Sequence, residues 1–356
     1  MAENIYVYKP DTLEPVGILE DIPSLQWTRR WAKPGEFEIH IQGETWLEEE
    51  DILERNGDVA MVEGIAKSYT SEAGEQAVVT GRFLSAYAER RIIPGIQSIT
   101  GTHEYVMKQL VTRCMTTAGE RAFPLLAVAA SHGYATGTLE QQTENAKLLE
   151  TLEDVAMLSA LGFHIKKVGA VLVFDVAQGV NRTNSQAVNA RVQFSIEDEN
   201  ILSQKMKIDT VEKRNFAYIT MPQTGDAPEV STTYGTVTGR ERREMFVNGS
   251  NVAKDEDGNS ISSEQQIVLL QAQGQAALRE EIMAFEATID QNGALSYKTD
   301  YDLGDIVTIV ARKWGVQIDA QITEVKEIVE SGKNSIKITF GYDEQSFKKI
   351  VKRWLV

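Results

Sequence analysis

Two segments near opposite ends of the chain, GDVAMV at residues 57–62 and GDIVTIV at residues 304–310, decide the fold that we predict. Gly-Asp favours a turn, and the β-branched and other apolar residues that follow it favour a strand. Each segment leads to a glycine-containing turn, at residues 72–74 or 330–332, and to a strand that ends at Gly81 or Gly341. The similarity predicts two related β-modules, although β-proteins also reuse such turns without internal duplication.

The two copies differ in length. Gly57 and Gly74 are 17 positions apart, whereas Gly304 and Gly332 are 28 positions apart. We expect the surplus residues of the second copy to form one extra hairpin around residues 313–315, where Lys-Trp-Gly favours a turn.

The other residues of the first hundred also have the pattern of β-structure. Phe37, Ile39 and Ile41 alternate with polar neighbours, which is the period of two expected of a half-buried strand. Turn sequences at residues 9–11 and 33–35 separate such strands. Residues 1–97 are therefore predicted to form a small β-barrel or sandwich.

The period changes between residues 98 and 200. Residues 103–115 carry apolar side chains at helical spacing after Thr102, a suitable N-cap. Residues 148–161 form a second predicted helix, with Gly162 placed to end it. A predicted β-hairpin over residues 163–176 follows, so this part of the chain is expected to be an α+β domain.

The last third is predicted to return to β-structure. Strands at residues 216–221 and 306–340, with a long helix at residues 263–289 between them, predict a second β-domain over residues 201–222 and 262–346. Residues 223–261 are rich in Gly, Thr, Ser, Asn and charge, and are expected to form a polar loop or exposed hairpin inserted in it.

Residues 347–356 have the spacing of a short amphipathic helix. Its apolar face is formed by Phe347, Ile350, Val351, Trp354 and Leu355, and lysine and arginine occupy the other face. Such a helix either closes its own domain or binds a partner, which would be an acidic neighbour or a second copy of this acidic chain. An isolated segment this short would bind a membrane only weakly. The apolar face is our candidate partner interface.

The composition excludes several classes of protein. The 356 residues include 52 acidic and 36 basic side chains, and a net charge of −16 opposes non-specific binding to nucleic acid or to anionic lipid. The single cysteine, Cys114, excludes an intrachain disulfide and a zinc site made of several thiolates. There is neither a secretory signal nor a stretch long and apolar enough to span a membrane, so we expect a protein that folds in the cytoplasm.

Motifs of catalysis are missing from the sequence. It contains no nucleophile elbow, no zincin motif, no P-loop and no dinucleotide-binding fingerprint. His40, His103, His132 and His164 fall on four separate predicted elements. We therefore predict that the chain is not an enzyme and has neither cofactor nor metal. Two alternatives stay open: a cell-wall hydrolase whose acidic pair is hidden among the carboxylates, and a carbohydrate-binding adhesin that uses Trp46 or Trp314.

Several segments, taken in order, resemble siphophage tail proteins of the Gp37-like family. They span nearly the whole chain, and the strongest of them is DYDLGDIV at residues 300–307. The others are residues 23–31 with 34–39, residues 80–82 with 90–93, residues 194–200, residues 322–325 and residues 339–341.

The resemblance implies a baseplate-hub or tail-tip protein, with a β-rich α+β fold. Each chain would supply two tube-like β-barrel domains with an α+β region inserted between them. Three chains would then form a pseudo-sixfold ring that joins the sixfold tail tube to a threefold spike or fibre. The implied partners are two further copies of the chain, a distal tail or tail tube protein, a spike, fibre or tail-tip lysin, and the tape measure protein. Phage DNA would pass through the ring without specific binding, in a virion tail assembled in the bacterial cytoplasm.

Overall fold

The computed structural model describes residues 4–341 except 21, 73, 118, 212, 222–229, 250–261, 279–281, 291–292 and 331. The chain divides into two compact units. Unit 1 comprises Met1–Lys205 and Glu286–Gly341, and the described part of unit 2 lies within Met206–Phe285. Of the residues described, 50% are in strands and 18% in helices, which confirms the β-rich fold. Within the described residues, none of the helices combines the length and the apolar character needed to cross a bilayer.

The N-terminal part of unit 1 is built from strands joined mainly by short turns. These are β1 (Ile5–Tyr8), β2 (Pro15–Leu19), β3 (Ser24–Arg30), β4 (Glu36–Gln42), β5 (Ile52–Arg55), β6 (Asp58–Thr70), β7 (Gly74–Phe83) and β8 (Ile92–Thr102). The alternation predicted for β4 is present, because Phe37 and Ile39 are buried while Glu36 and His40 are exposed. Phe37 stacks on Trp27 of β3, with ring centroids 5.5 Å apart, and both rings belong to the main core.

The middle of unit 1 contains two helices among short strands. They are α1 (His103–Val111), β9 (Leu126–Val128), β10 (Thr138–Lys147), α2 (Leu148–Ser159), β11 (Leu161–Val168), β12 (Val171–Gln178), β13 (Gln193–Phe194) and β14 (Ile201–Asp209), whose residues from Met206 belong to unit 2. The Thr102 side chain accepts a hydrogen bond from the Tyr105 N–H and caps α1 as predicted. Gly162 does not end α2, because Ala160 adopts the left-handed cap conformation instead. Gly162 lies in β11, where a Cβ atom would stand 2.5 Å from the Trp31 ring.

Unit 2 is a small sheet with a helix. Its described elements are β15 (Phe216–Thr220), β16 (Ser231–Tyr234), β17 (Glu244–Asn248) and α3 (Ser263–Ala277). β15 pairs antiparallel with β16 and parallel with β17, both of which come from the stretch predicted to be polar loop or hairpin. A capping box between Ser262 and Gln265 begins α3, and Leu270 packs with Ile219 in the core of this unit.

The last four strands are β18 (Ile282–Ile289), β19 (Ile306–Ala311), β20 (Val316–Glu330) and β21 (Lys333–Phe340). The helix predicted over residues 263–289 is therefore wrong in its second half. Ile282, Met283, Ala284 and Phe285 are consecutive apolar residues, which fit a period of 3.6 as well as a period of two. The hairpin expected around residues 313–315 is confirmed, since β19 and β20 pair antiparallel on either side of it.

The large sheet has the strand order β14-β18-β21-β20-β3-β4-β7-β6-β5-β1-β2, with β19 and β13 attached beside β20. Within it, β14-β18-β21-β20 and β3-β4-β7-β6 are two halves of the same plan. The hairpins β6–β7 and β20–β21 each carry a bulge, after Val62 and after Ile322, and each first strand then runs seven residues to the turn. Along its described strands the sheet does not close into a barrel, because β14 and β2 lie at its ends.

The internal similarity thus corresponds to a structural repeat, but the two Gly-Asp dipeptides do not occupy equivalent positions in it. Gly57 and Asp58 lie where β6 begins, whereas Gly304 and Asp305 precede β19. β19 pairs with the first part of β20, just as β5 pairs with the first part of β6, so β19 is the counterpart of β5. The second copy is longer because it has one extra strand, β19, between its Gly-Asp dipeptide and its glycine-containing turn.

Candidate functional site

The two halves of the sheet meet where β3 pairs antiparallel with β20, from Ser24 opposite Glu330 to Arg30 opposite Glu324. We call this pairing the joint. Arg30 Nε donates to Glu324 Oε2 at 2.7 Å across it. On the same pair of strands Trp27 lies opposite Glu327, and the buried Arg55 of β5 lies 2.8 Å from Glu327. The joint therefore combines a backbone ladder with paired charges.

Arg29 connects the joint to the segment that precedes β19. Its Nη1 donates to the Tyr297 hydroxyl and to Asp302 Oδ1, each at 2.6 Å, and its Nε lies 3.1 Å from Asp58 Oδ2. Burial by itself lowers the pKa of Arg29, but Asp58, Tyr297 and Asp302 outweigh it and raise the pKa well above the ordinary value. The guanidinium is thus a permanent cation that holds β3 and β6 to the segment before β19.

The DYDLGDIV segment supplies packing and turn geometry to the same region. Tyr301 is buried edge-on against Phe194, with ring centroids 5.0 Å apart. Gly304 has φ of +92°, and a Cβ there would stand 2.4 Å from the Trp31 ring. Only glycine suits a position that needs both a left-handed conformation and so close an approach.

Asp305 of this segment is a buried acceptor of three hydrogen bonds. Its carboxylate accepts from Arg182 Nε at 2.7 Å, from the Val180 N–H at 2.9 Å and from the Asp302 N–H at 3.1 Å. A buried carboxylate that accepts three hydrogen bonds is held in place by them and has a structural role. Three of the segments that carry the family resemblance, residues 23–31, 300–307 and 322–325, therefore meet at or beside the joint, where their side chains hold the fold together.

A cavity of about 320 Å³ lies beside the joint. Its walls include Arg29, Asp302, Arg182 and Asp305, whose charges are already paired with one another. The cavity is therefore a gap between ion-paired side chains, and the acidic groups named in its walls are engaged in those pairs.

Of the four histidines, His132 and His164 lie near each other, because His132 contacts Asp175 and Asp175 is the cross-strand partner of His164. Burial lowers the pKa of His164 to about 4, so this ring is neutral at pH 7. His132 Nε2 lies 2.9 Å from Asp175 Oδ2, and His40 Nε2 lies 2.9 Å from Glu38 Oε1. Throughout the described ranges, no three residues of His, Cys, Asp or Glu are grouped to hold a metal ion.

Glu104 of α1 forms a buried charge cluster that the sequence did not reveal. Its side chain is fully buried and accepts from Lys108 Nζ at 2.8 Å and from the N–H groups of His132 at 2.6 Å and Gly133 at 3.0 Å. Burial alone would raise the pKa of Glu104, but these hydrogen bonds lower it to about 2. The carboxylate anchors a loop rather than exchanging protons. The only sequence signal was a Glu and a Lys four positions apart on a helix.

The predicted partner interface, Phe347, Ile350, Val351, Trp354 and Leu355, lies outside the described residues. The two tryptophans considered for glycan binding, Trp46 and Trp314, are each 46% exposed. Trp46 packs against Gly17, where a Cβ would meet its ring at 3.0 Å, so one face of this indole is used inside unit 1.

The fold is that of tail proteins from phages and prophages. A tail protein from Neisseria meningitidis MC58 matches with a TM-score of 0.58 and 13% identity, covering 95% of this chain and 97% of that one. The prophage tail protein gp18 from Listeria monocytogenes EGD-e matches with a TM-score of 0.57 and 13% identity, covering 99% and 98%. A chain of the lidded PdpA–VgrG complex of Francisella matches with a TM-score of 0.53 and 10% identity, covering 96% and 53%.

A sequence model of one family matches nearly the whole chain. The chain belongs to the Siphovirus ReqiPepy6 Gp37-like protein family, whose model matches residues 4–342. No curated protein matches it. This family is the one that the resemblance of the segments predicted, so that prediction is confirmed.

Proposed function

We propose that the chain is a baseplate-hub or tail-tip protein that works as a homotrimeric ring. The observation that supports it best is the repeated strand order within one sheet, β14-β18-β21-β20 and then β3-β4-β7-β6. A chain with two similar modules can present six similar modules when three copies surround an axis. Such a ring matches a sixfold tail tube on one side and a threefold spike or fibre on the other.

In this proposal the two modules are the tube-like barrel domains, closed only when neighbouring chains complete them. The α+β region of residues 98–200 is inserted between them, and residues 223–261 extend from the second. The apolar face from Phe347 to Leu355 is the candidate contact with an adjoining tail component.

The partners follow from the ring's position in the tail. A tail tube or distal tail protein would bind above it, with the tape measure protein within reach, and a spike, fibre or tail-tip lysin would bind below it. The net charge of −16 supports a channel that repels DNA, so that DNA passes without adhering. A channel lined by neutral or basic side chains would contradict this part of the proposal.

The proposal assigns the chain no catalytic step and no cofactor. Its supporting observation is that the charged groups around the joint are used in pairs that hold the fold. The protein would act in the virion tail after assembly in the bacterial cytoplasm. Wall-degrading activity of the purified chain that one Asp or Glu substitution abolishes would overturn this assignment.

The test is the native mass of the full chain over a concentration series, followed by negative-stain imaging. We expect a species of three times the 39.6 kDa chain mass, and rings with a central hole. A chain that stays monomeric at the highest concentration, both alone and with the tail tube protein, would refute the ring.

A further inference from the structure

Among the described strands, the arrangement shared by the two halves of the large sheet leaves one strand edge open in each half. At the joint, residues 324–330 of β20 have β21 on one side and β3 on the other. The equivalent residues of β6, 64–70 after the bulge, have β7 on one side. β5 covers only residues 58–61 of the other side, and none of the pairings between described strands reaches residues 64–69 there. At the opposite end, β14 has β18 as its only neighbour in that order.

An edge with free backbone groups on a long strand is a template for another strand. Natural proteins usually shorten or cover such edges. Here β6 is 13 residues long, and its second half projects beyond β5 with exposed side chains. β3 occupies the corresponding edge in the other half, and β14 is the counterpart of β3 in the strand order. The repeat therefore identifies β14 as the strand that fits the open edge of β6.

The side chains at the two edges support this pairing. Tyr69 of β6 is 77% exposed, and Leu202 of β14 is 65% exposed. Tyr69 of β6 and Val329 of β20 occupy equivalent positions. Pairing resumes after the bulge at Gly64 in β6 and at Glu324 in β20, and each of the two residues lies five positions further on. At the joint Val329 lies opposite Leu25, which is buried.

Leu202 also lies on the core side of its strand. Ser203 Oγ donates to Thr288 Oγ1 at 3.0 Å, which makes these two residues cross-strand neighbours. Leu202 is therefore beside Ile289, which is buried. Tyr69 and Leu202 are both apolar residues on the core side that stay exposed because the sheet ends at them.

We infer that β6 residues 66–69 of one copy pair antiparallel with β14 residues 202–205 of the next copy, with Tyr69 covering Leu202. This inference rests on the proposed ring and specifies how its subunits join. Each chain offers one open edge of each kind, so the contact is head to tail and closes when three copies surround an axis.

Cross-linking of the full chain tests the pairing. The variant Tyr69→Cys/Leu202→Cys and a second variant, Ser68→Cys/Ser203→Cys, place thiols on the two faces of the proposed contact. A bismaleimide that spans about 8 Å reaches direct and diagonal neighbours in a sheet. The native Cys114 is buried and is present in every variant. The matched control is Tyr69→Cys/Val168→Cys, since Val168 is exposed at the far end of β11.

We expect Tyr69→Cys/Leu202→Cys or Ser68→Cys/Ser203→Cys, or both, to give covalent dimers and trimers on a denaturing gel. The control and the single variants should stay monomeric there. A native trimer in which neither of these two double variants cross-links would overturn the strand pairing and leave the proposed ring standing. Absence of a trimer in native mass measurements would overturn the ring itself, and the inference with it.

Discussion

Removing the charge of Glu104 tests whether its buried carboxylate stabilises unit 1. The substitution Glu104→Gln keeps the shape but replaces one acceptor oxygen with an NH₂ group. That group would face donors, because the Lys108 ammonium and the N–H groups of His132 and Gly133 all point at the carboxylate. Lys108 keeps two partners, since its Nζ also lies 2.9 Å from Asp175 Oδ1 and donates to the Ala130 carbonyl oxygen at 2.6 Å.

The magnitude follows from the pKa of Glu104. The difference between about 2 in the folded chain and the ordinary 4.5 corresponds to about 3 kcal/mol of stabilisation by the ionised form. Breaking a buried ion pair typically costs about 3–5 kcal/mol. Because Asp175 still pairs with Lys108, we expect the lower end, a loss of about 3 kcal/mol at pH 7.

The pH dependence has a defined sign. A carboxylate with a lowered pKa stabilises the folded chain fully above pH 4.5, and this contribution disappears as the pH falls towards 2. The difference in unfolding free energy between the native chain and Glu104→Gln should therefore shrink over that interval. Urea unfolding followed by tryptophan fluorescence at several pH values measures it.

The matched control is Glu144→Gln, because Glu144 is an exposed residue of β10. It should change the unfolding free energy by less than about 0.5 kcal/mol, as surface substitutions usually do. Equal stability of Glu104→Gln and Glu144→Gln at pH 7 would refute the stabilising role of the buried carboxylate. So would a difference between them that stays constant from pH 5 to pH 2.5.

Three further predictions follow from other contacts. Gly162→Ala should destabilise unit 1 by about 1–3 kcal/mol in urea unfolding, because its Cβ would stand 2.5 Å from the Trp31 ring; unchanged stability would contradict the packing. His164 should stay neutral down to about pH 5 in an NMR titration, since burial lowers its pKa to about 4, whereas a midpoint near 6.5 would show it exposed. Ala66→Glu should lower and Ala66→Lys should raise the concentration at which trimers form, by about 2- to 5-fold, because Lys205 lies opposite in the proposed contact; equal effects would argue against that register.

The strands of the first hundred residues were predictable because their burial alternates. Phe37 and Ile39 face the core and their neighbours do not, so local sequence carries the information. The second half of the helix predicted over residues 263–289 failed for the opposite reason. Four consecutive apolar residues from Ile282 carry no period, and the pairing with strands distant in sequence decided the outcome.

Glycines show a second limit of the sequence. Gly162 has a sequence position typical of a helix end. Glycine is required there, however, because the Trp31 ring packs against it, and Trp31 is more than a hundred residues away in the sequence. Gly304 was placed correctly in a turn, yet it also packs on Trp31. The Arg29 cluster likewise joins Asp58 to Asp302, which no local pattern links. Sequence could indicate a duplication, but the joint between its copies required the fold.

The joint and the proposed contact between copies differ in how they depend on the concentration of the chain. The joint is intramolecular and carries ion pairs such as Arg30–Glu324, so it forms at any concentration. The contact between copies has Lys67 where the joint has Glu327, and it depends on concentration. A pair of chains makes one such contact, and the third chain adds two at once. We therefore expect monomers and trimers with few dimers in native mass spectra, and a dominant dimer would argue against head-to-tail closure.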